Sequence, residues 1–362
     1  MIIGIEAERA NNPQKTGVEH YAQQLILHLA EIDRANQYVL YLRSRPESWF
    51  GGLPSNFKVK VMPFPIFWTQ LRISWEIFFH PVDVLMIPAS ALPLLHPKRA
   101  VVTIHDIGWR YFPSSFTWFM RNFLEWSTRF AVKHASTIIA VSESTKADLI
   151  KFYKVDAKKI VVVHHGYSIG ESDVSERRSI GVSLPEKYIL FLSTLQPRKN
   201  LAGLIDGFRL LKQEHPELPH QLVVAGKPGW KFESILSKID ENKDIVVYLN
   251  YVADEQRLSL LKQADLLVLP SLYEGFGMQI LEAFAANVPV AASNVSSMPE
   301  VAGEAAVYFG PHNIQEIKKA IKSVLLDTRL AEKLKQKGKE RLRQFSWEKC
   351  AAETLEVLNK IK

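Results

Sequence analysis

Apolar runs of four or five residues recur along most of the chain, separated by amphipathic stretches of helical length. This alternation limits the fold more than any other feature. Strands that are apolar throughout are buried on both faces, and covering both faces takes helices between successive parallel strands. In the first half, strands are expected at residues 2–7, 39–42, 59–62, 84–88, 100–104, 137–141 and 160–163. Helices are expected at 17–32 and 142–152, the second capped by Ser142 or Ser144. A polar stretch at 167–185 interrupts the pattern. It resumes with strands at 188–192, 221–225, 245–249, 266–269, 288–292 and 306–309, then Lys-rich helices over 314–344 and a last helix after Phe345. The expected class is α/β with doubly wound parallel sheets. A chain of 362 residues exceeds one comfortable core, so two domains are expected, divided in the polar stretch.

Cys350 has no partner cysteine, which excludes a disulfide scaffold and fits a reducing compartment; a buried small side chain is its expected role. Met1-Ile-Ile-Gly-Ile lacks a basic flank and a cleavage site, and therefore reads as a first strand. No apolar run reaches the roughly 18–20 residues of a membrane span. The expected location is the cytoplasm, with room for peripheral contact at the inner face of the membrane. The net charge of +7 is concentrated early: residues 1–170 hold 19 Lys/Arg against 13 Asp/Glu, and residues 171–362 hold 26 against 25. A basic first half suits an anionic lipid surface or a lipid-diphosphate acceptor better than nucleic acid; a solvated basic face is the alternative. Trp118, Phe119, Phe123 and Trp126 accompany Arg121 and Arg129. A membrane-surface helix explains that spacing, but core packing is favoured for most of the four.

The most specific signal is Pro270-Ser-Leu-Tyr-Glu-Gly-Phe-Gly-Met-Gln-Ile-Leu-Glu. A strand ends, a glycine turn follows and a helix opens, which presents backbone N–H groups and the positive end of a helix dipole to an anion such as phosphate. Gly275, Phe276, Gly277 and Met278 make the turn. Glu274 lies on its lip, where a carboxylate can accept from sugar hydroxyls, and Glu282 on the helix can reach the paired hydroxyls of a ribose. The plainer alternative is a surface glutamate beside an ordinary turn. A dinucleotide fingerprint is disfavoured, since Ile280 stands where its third glycine belongs. Arg198 and Lys199 follow Pro197 after a strand; two cations there suit a diphosphate, although such a pair alone is more often a solvated loop. His105-Asp106 ends the strand at 100–104, and Gly17 opens the first helix after Thr16.

The Glu-Gly-Phe-Gly and Leu-Glu-Ala segments resemble the glutamate pair of retaining glycosyltransferases of family 4, the mannosyltransferase-rich group 1 enzymes of GT-B fold. The resemblance extends to Ser193-Thr-Leu-Gln-Pro-Arg-Lys-Asn-Leu, Gly226-Lys-Pro-Gly-Trp, Pro299-Glu-Val-Ala-Gly and Val101-Val-Thr-Ile-His-Asp, and so covers nearly the whole chain. It implies two Rossmann-like lobes facing across a cleft, residues 1–168 plus 345–362 for the acceptor and 169–344 for the donor. It also implies transfer of a hexose from a nucleoside-diphosphate sugar to a glycan or lipid-linked hydroxyl, with GDP-mannose favoured and a UDP sugar as the alternative. Glu274 would contact the donor sugar, Glu282 the ribose, Arg198 and Lys199 the diphosphate, and His105 the reacting centre. Gly17 would let backbone approach the diphosphate. No cofactor is expected beyond the donor, and without an Asp-x-Asp motif no metal is implied. A nucleotide-sugar-binding protein without turnover and a sugar-nucleotide epimerase are the competing classes. Several positions depart from the family pattern: Gln279 stands in place of proline, Asn250 and Asn287 in place of glycine, and Thr194 where many relatives carry arginine.

Overall fold

The computed structural model describes residues 1–13, 15–167 and 184–361; most of the polar stretch expected to divide the chain thus lies outside the described residues. The chain forms two compact units, one of residues 1–109, 117–166 and 345–362, the other of residues 110–116 and 167–344. The segment 110–116, placed in the first lobe by the sequence reading, groups with the second unit.

In the first unit the order is β1 (Ile2–Glu6), α1 (Gly17–Ile32), β2 (Gln37–Leu42), β3 (Phe57–Val61), α2 (Ser74–Phe79), β4 (Val84–Ile87), β5 (Ala100–Ile104), the start of the short α3 (Gly108–Tyr111), whose last two residues group with the second unit, α4 (Trp118–His134), β6 (Thr137–Ala140), α5 (Glu143–Tyr153) and β7 (Ile160–Val162). The sheet runs β3-β2-β1-β4-β5-β6-β7 with every pairing parallel. Central β4 and β5 are buried at every position, as strands covered on both faces must be. Ser142 caps α5, its hydroxyl accepting from the Thr145 N–H at 3.0 Å.

The second unit holds β8 (Tyr188–Leu192), α6 (Leu201–Glu214), β9 (Gln221–Ala225), α7 (Glu233–Asp240), β10 (Val246–Tyr248), α8 (Asp254–Gln263), β11 (Leu266–Leu269), α9 (Met278–Ala285), β12 (Val290–Ser293), α10 (Met298–Ala302), β13 (Ala306–Phe309), α11 (Ile314–Leu326) and α12 (Thr328–Leu342). Its parallel sheet runs β10-β9-β8-β11-β12-β13. Phe191, Leu204, Phe208, Leu222, Val268 and Ile321 belong to its core. The last helix, α13 (Trp347–Lys360), is part of the first unit and packs on α1.

In both sheets the strand order reverses direction once, between β1 and β4 and between β8 and β11. Loops leaving the carboxyl ends on either side of such a point diverge and leave a crevice for a ligand.

One expectation is overturned. Trp118, Phe119 and Trp126 are 74%, 65% and 45% exposed, and Phe123 is half-buried. Helical spacing of aromatic residues fits a buried face and an exposed apolar face equally well; here the buried stripe of α4 is Ser127, Thr128, Ala131 and Val132.

Candidate functional site

The loop after β8 carries Arg198 and Lys199, and the loop after β11 carries Glu274. They leave adjacent strands at the reversal point of the second sheet, and so meet although 75 residues separate Lys199 from Glu274. Lys199 Nζ donates to both oxygens of Glu274, at 2.6 and 2.8 Å, and Ser271 Oγ donates to Oε1 at 2.6 Å. Arg198 Nη1 lies 3.8 Å from Glu274 Oε2 and donates to the Tyr273 carbonyl at 3.1 Å. Glu274 and Lys199 are both buried. Burial alone pushes the Glu274 carboxyl up, but the charges of Lys199 and Arg198 and the bonds from Lys199 and Ser271 outweigh it and hold the group below the usual carboxylate range. The result is a fixed carboxylate within a cluster of net positive charge.

Backbone clips hold the loop. The Glu274 N–H donates to Ser296 Oγ at 2.9 Å, Ser297 Oγ donates to the carbonyls of Glu274 and Phe276, both at 2.9 Å, and the Leu272 N–H donates to the Arg198 carbonyl at 2.8 Å. Asn200 ties the β8 loop to the carbonyls of Pro270 and Pro311, at 3.1 and 2.7 Å. Gly275 and Phe276 lead to Gly277, whose φ of 92° is open to glycine and costly for other residues; Met278 then begins α9. Glu282 is buried on α9, where Arg257 of α8 donates to its Oε1.

Arg198, Lys199 and Glu274 are thus gathered into one network, and the turn 275–278 links it to Glu282. His105 and Gly17 belong to the first unit. Gly17 is the first residue of α1, and Glu19 accepts from the Thr16 N–H at 3.2 Å to cap that helix. His105 is half-buried at the end of β5. Its Nε2 donates to the Pro88 carbonyl at 2.8 Å, and burial lowers its pKa, partly offset by that carbonyl and by Asp106. Asp106 accepts from the Gly108 N–H at 2.9 Å and so anchors the loop. The imidazole is therefore a neutral ring with Nδ1 as acceptor.

Sequence reasoning did not single out Ser271, Ser296, Ser297 or Arg257. Ser271 stands inside the conspicuous motif and could have been found there; Arg257 carries no local signal. Glu6, at the carboxyl end of β1, was also missed. Burial raises its pKa to about 7. Between its unfolded value of 4.5 and about 7 the folded chain keeps a proton that the unfolded chain releases, so stability falls as pH rises through that window. Glu6→Gln escapes the loss. It is expected to be more stable than the wild type by up to about 3 kcal/mol at pH 8, with the difference fading toward pH 4.5. Urea unfolding at both pH values measures it, and a pH-independent difference would remove Glu6 as the cause.

Two family models match in tandem: Glycosyltransferase Family 4 over residues 15–171 and Glycosyl transferases group 1 over residues 173–341. The O-antigen chain mannosyltransferase B of Escherichia coli is 32% identical over 269 residues, 71% of this chain and 69% of that protein. The serotype-specific mannosyltransferase WbdA of Escherichia coli is 28% identical over 241 residues, 63% of this chain but only 29% of that protein. Among solved structures, Anabaena HepE in complex with UDP-glucose superposes with a TM-score of 0.74 at 19% identity, covering 99% of each chain, a likeness of fold. On the matching models and the 32% identical relative, the chain belongs to glycosyltransferase family 4 and is a glycosyltransferase of GT-B fold.

Proposed function

We propose that the protein moves a hexosyl group, mannosyl favoured, from a nucleoside-diphosphate sugar held by the second unit to a hydroxyl of a glycan or lipid-linked glycan held by the first, with retention at the anomeric carbon. The observation that carries this reading is the buried Glu274–Lys199–Arg198 cluster at the sheet reversal, beside the glycine turn that opens α9. The mannosyltransferase relatives support the choice of sugar, and GDP-mannose is the donor that the sequence resemblance favours; the UDP-glucose complex of a protein of similar fold supports a UDP sugar as the alternative.

In this reading Glu274, fixed by Lys199 and Ser271, accepts from hydroxyls of the donor sugar and holds it in the reactive pose. Arg198, Lys199 and the N–H groups of Gly277 and Met278 stabilise the charge that develops on the leaving diphosphate. The diphosphate takes the acceptor proton on the face it leaves, so no protein nucleophile takes part, and without an Asp-x-Asp motif no metal ion is called for. Glu282 accepts from the ribose hydroxyls, with Arg257 exchanging its partner as the nucleotide arrives. Neutral His105 accepts at Nδ1 from a hydroxyl at the reacting centre. No described helix is long and apolar enough to cross a membrane. The exposed aromatic residues of the first unit and its basic excess support peripheral contact with the inner face of a membrane and a cytoplasmic location.

The anomeric configuration of the product formed from GDP-mannose, read by NMR, tests the reaction: an α-linked mannoside is expected, and a β-linked product would overturn retention. Calorimetry with GDP, which carries the ribose but no sugar, tests the division between the glutamates. Glu282→Ala should weaken GDP binding by about tenfold or more, the loss of a charge-assisted hydrogen bond, while Glu274→Gln should change it little and chiefly lower kcat. Equal losses would mean that the roles are wrongly divided.

A further inference from the structure

Asn200 stands where an asparagine usually caps a helix, and it does not cap. It is the residue before α6 and follows directly on Arg198 and Lys199, which belong to a single 3₁₀ turn, Pro197–Lys199. An N-cap asparagine ordinarily has extended backbone and turns its side-chain oxygen to an N–H of the first helical turn. Asn200 has a φ of 55°, in the left-handed region, and its side chain makes no such bond. It holds a costly backbone conformation and forgoes the usual bond as well.

The amide is directed elsewhere. Its Nδ2 donates to the Pro311 carbonyl at 2.7 Å and to the Pro270 carbonyl at 3.1 Å, which occupies both of its hydrogens. Both prolines are buried, and each closely follows the end of a strand, β11 or β13, where the ladder no longer supplies partners. One side chain thus ties three loops together: its own, the loop that carries Ser271 and Glu274, and the loop that leads to α11. Gly203 makes the room. A Cβ there would lie 2.7 Å from Asn200 Oδ1 and 2.9 Å from Nδ2, so the amide would have to move. Alanine is the better helix former, and nothing in α6 itself asks for glycine at that position.

The tie fixes the spacing of the two cations and the loop they face. Arg198 Nη1 donates to the Tyr273 carbonyl at 3.1 Å, its Nε donates to Gln196 Oε1 at 3.3 Å, and Lys199 is bonded to Glu274. Those bonds involve the groups that a diphosphate would engage, and they must loosen as it binds. The bonds from Asn200 go to buried carbonyls and need not change.

We infer that Asn200 is a positioning residue, whose amide, seated against Gly203, sets the spacing of the β8 and β11 loops at which Arg198 and Lys199 converge on one diphosphate. The inference rests on the reading of those two cations as the diphosphate grip and adds the residue that aims them. Calorimetry with GDP and GMP measures the grip, since the two differ only in the second phosphate; UDP and UMP serve if the protein takes uridine. Wild-type protein should prefer the diphosphate by at least about tenfold, the effect of one charge-assisted hydrogen bond. Asn200→Gly keeps the left-handed backbone and removes the tie. Gly203→Ala keeps Asn200 and drives its amide off the carbonyls. Each should cut the preference to about threefold or less, with monophosphate affinity unchanged, which shows that the variants are folded. Should Gly203→Ala fail to bind the monophosphate, Asn200→Gly alone decides. The double variant separates positioning from a general loss of packing. Without the amide, a methyl group at 203 has nothing to displace, so Asn200→Gly/Gly203→Ala should bind as Asn200→Gly does. A full preference in Asn200→Gly overturns the inference, and so do losses in the two single variants that add in the double one. Wild-type protein without the preference sinks the reading of Arg198 and Lys199 instead, a result distinct from a preference that survives the substitutions.

Discussion

Lys199→Met is expected to lower the stability of the second unit by about 3–5 kcal/mol, because it leaves Glu274 buried without its closest counter-charge. Turnover should fall as well, by roughly 10² to 10³, the usual consequence of removing a preorganised charge-stabilising group. The two effects separate in the double variant Lys199→Met/Glu274→Gln. Neutralising both partners removes the unpaired charge, so most of the stability should return while turnover stays low. Arg198→Ala gives the complementary pattern. Its guanidinium stands 3.8 Å from the carboxylate, so turnover should fall in the same range with little loss of stability. Urea unfolding and initial rates on the four proteins make the comparison. A Lys199→Met protein as stable as the wild type would show that the pair is not the structural tie described above.

Gly226→Ala should lower kcat/KM by about 10² without touching any residue assigned to the chemistry. A Cβ at position 226 would lie 1.8 Å from the Ser193 carbonyl oxygen and 2.6 Å from the carbonyl carbon, both backbone atoms of the loop that leads to Arg198 and Lys199. Backbone cannot swing aside as a side chain does, so the loop must move. Displacing a catalytic group by about 1 Å is enough for a loss of that size. The strain falls where the β8 loop is stitched to residues 226–229, the Leu195 N–H donating to the Lys227 carbonyl at 2.9 Å and the Gly229 N–H to the Leu195 carbonyl at 3.0 Å. Gly51→Ala is the control, since nothing lies within 4 Å of the added methyl group. Steady-state kinetics on the two variants suffice; a Gly226→Ala enzyme with normal kcat/KM would mean that the loop tolerates the shift.

The sequence was most informative where periodicity and burial agree. Strands β5, β8, β9, β11 and β13 fall at the expected residues because each is a short, wholly apolar or alternating run between turn formers. At β12 the strand starts two residues late, at Val290, because Pro289 has no N–H for the ladder and contributes only its carbonyl, to Leu267. Asn250 and Asn287, which depart from the family pattern, have a backbone explanation: their φ values are 57° and 60°, in the left-handed region that asparagine tolerates better than most side chains. Glycine is replaced there by the next most permissive residue.

The site was legible as a set of residue types and not as a set of contacts. Glu274, Arg198 and Lys199 stand in recognisable motifs, but a motif gives no partner at a sequence distance of 75; the sheet reversal supplies it. The exposure of Trp118 and Phe119 was equally hidden, because helical spacing records that a face is apolar and not what covers it.

The return of α13 to the first unit bears on synthesis. Trp347, Cys350, Ala351, Thr354 and Leu358 are all buried on that helix, and the backbone of Trp347 lies so close to Gly166 that a Cβ there would sit 2.2 Å from its nitrogen. A chain emerging from the ribosome can complete the second core once residue 344 is out, yet it must hold the face of α1 uncovered until α13 appears. The unit begun first is therefore finished after the second. Emergence of α13 sets the moment at which the first unit closes, and a stall before that helix is out leaves an apolar seam for chaperones to guard.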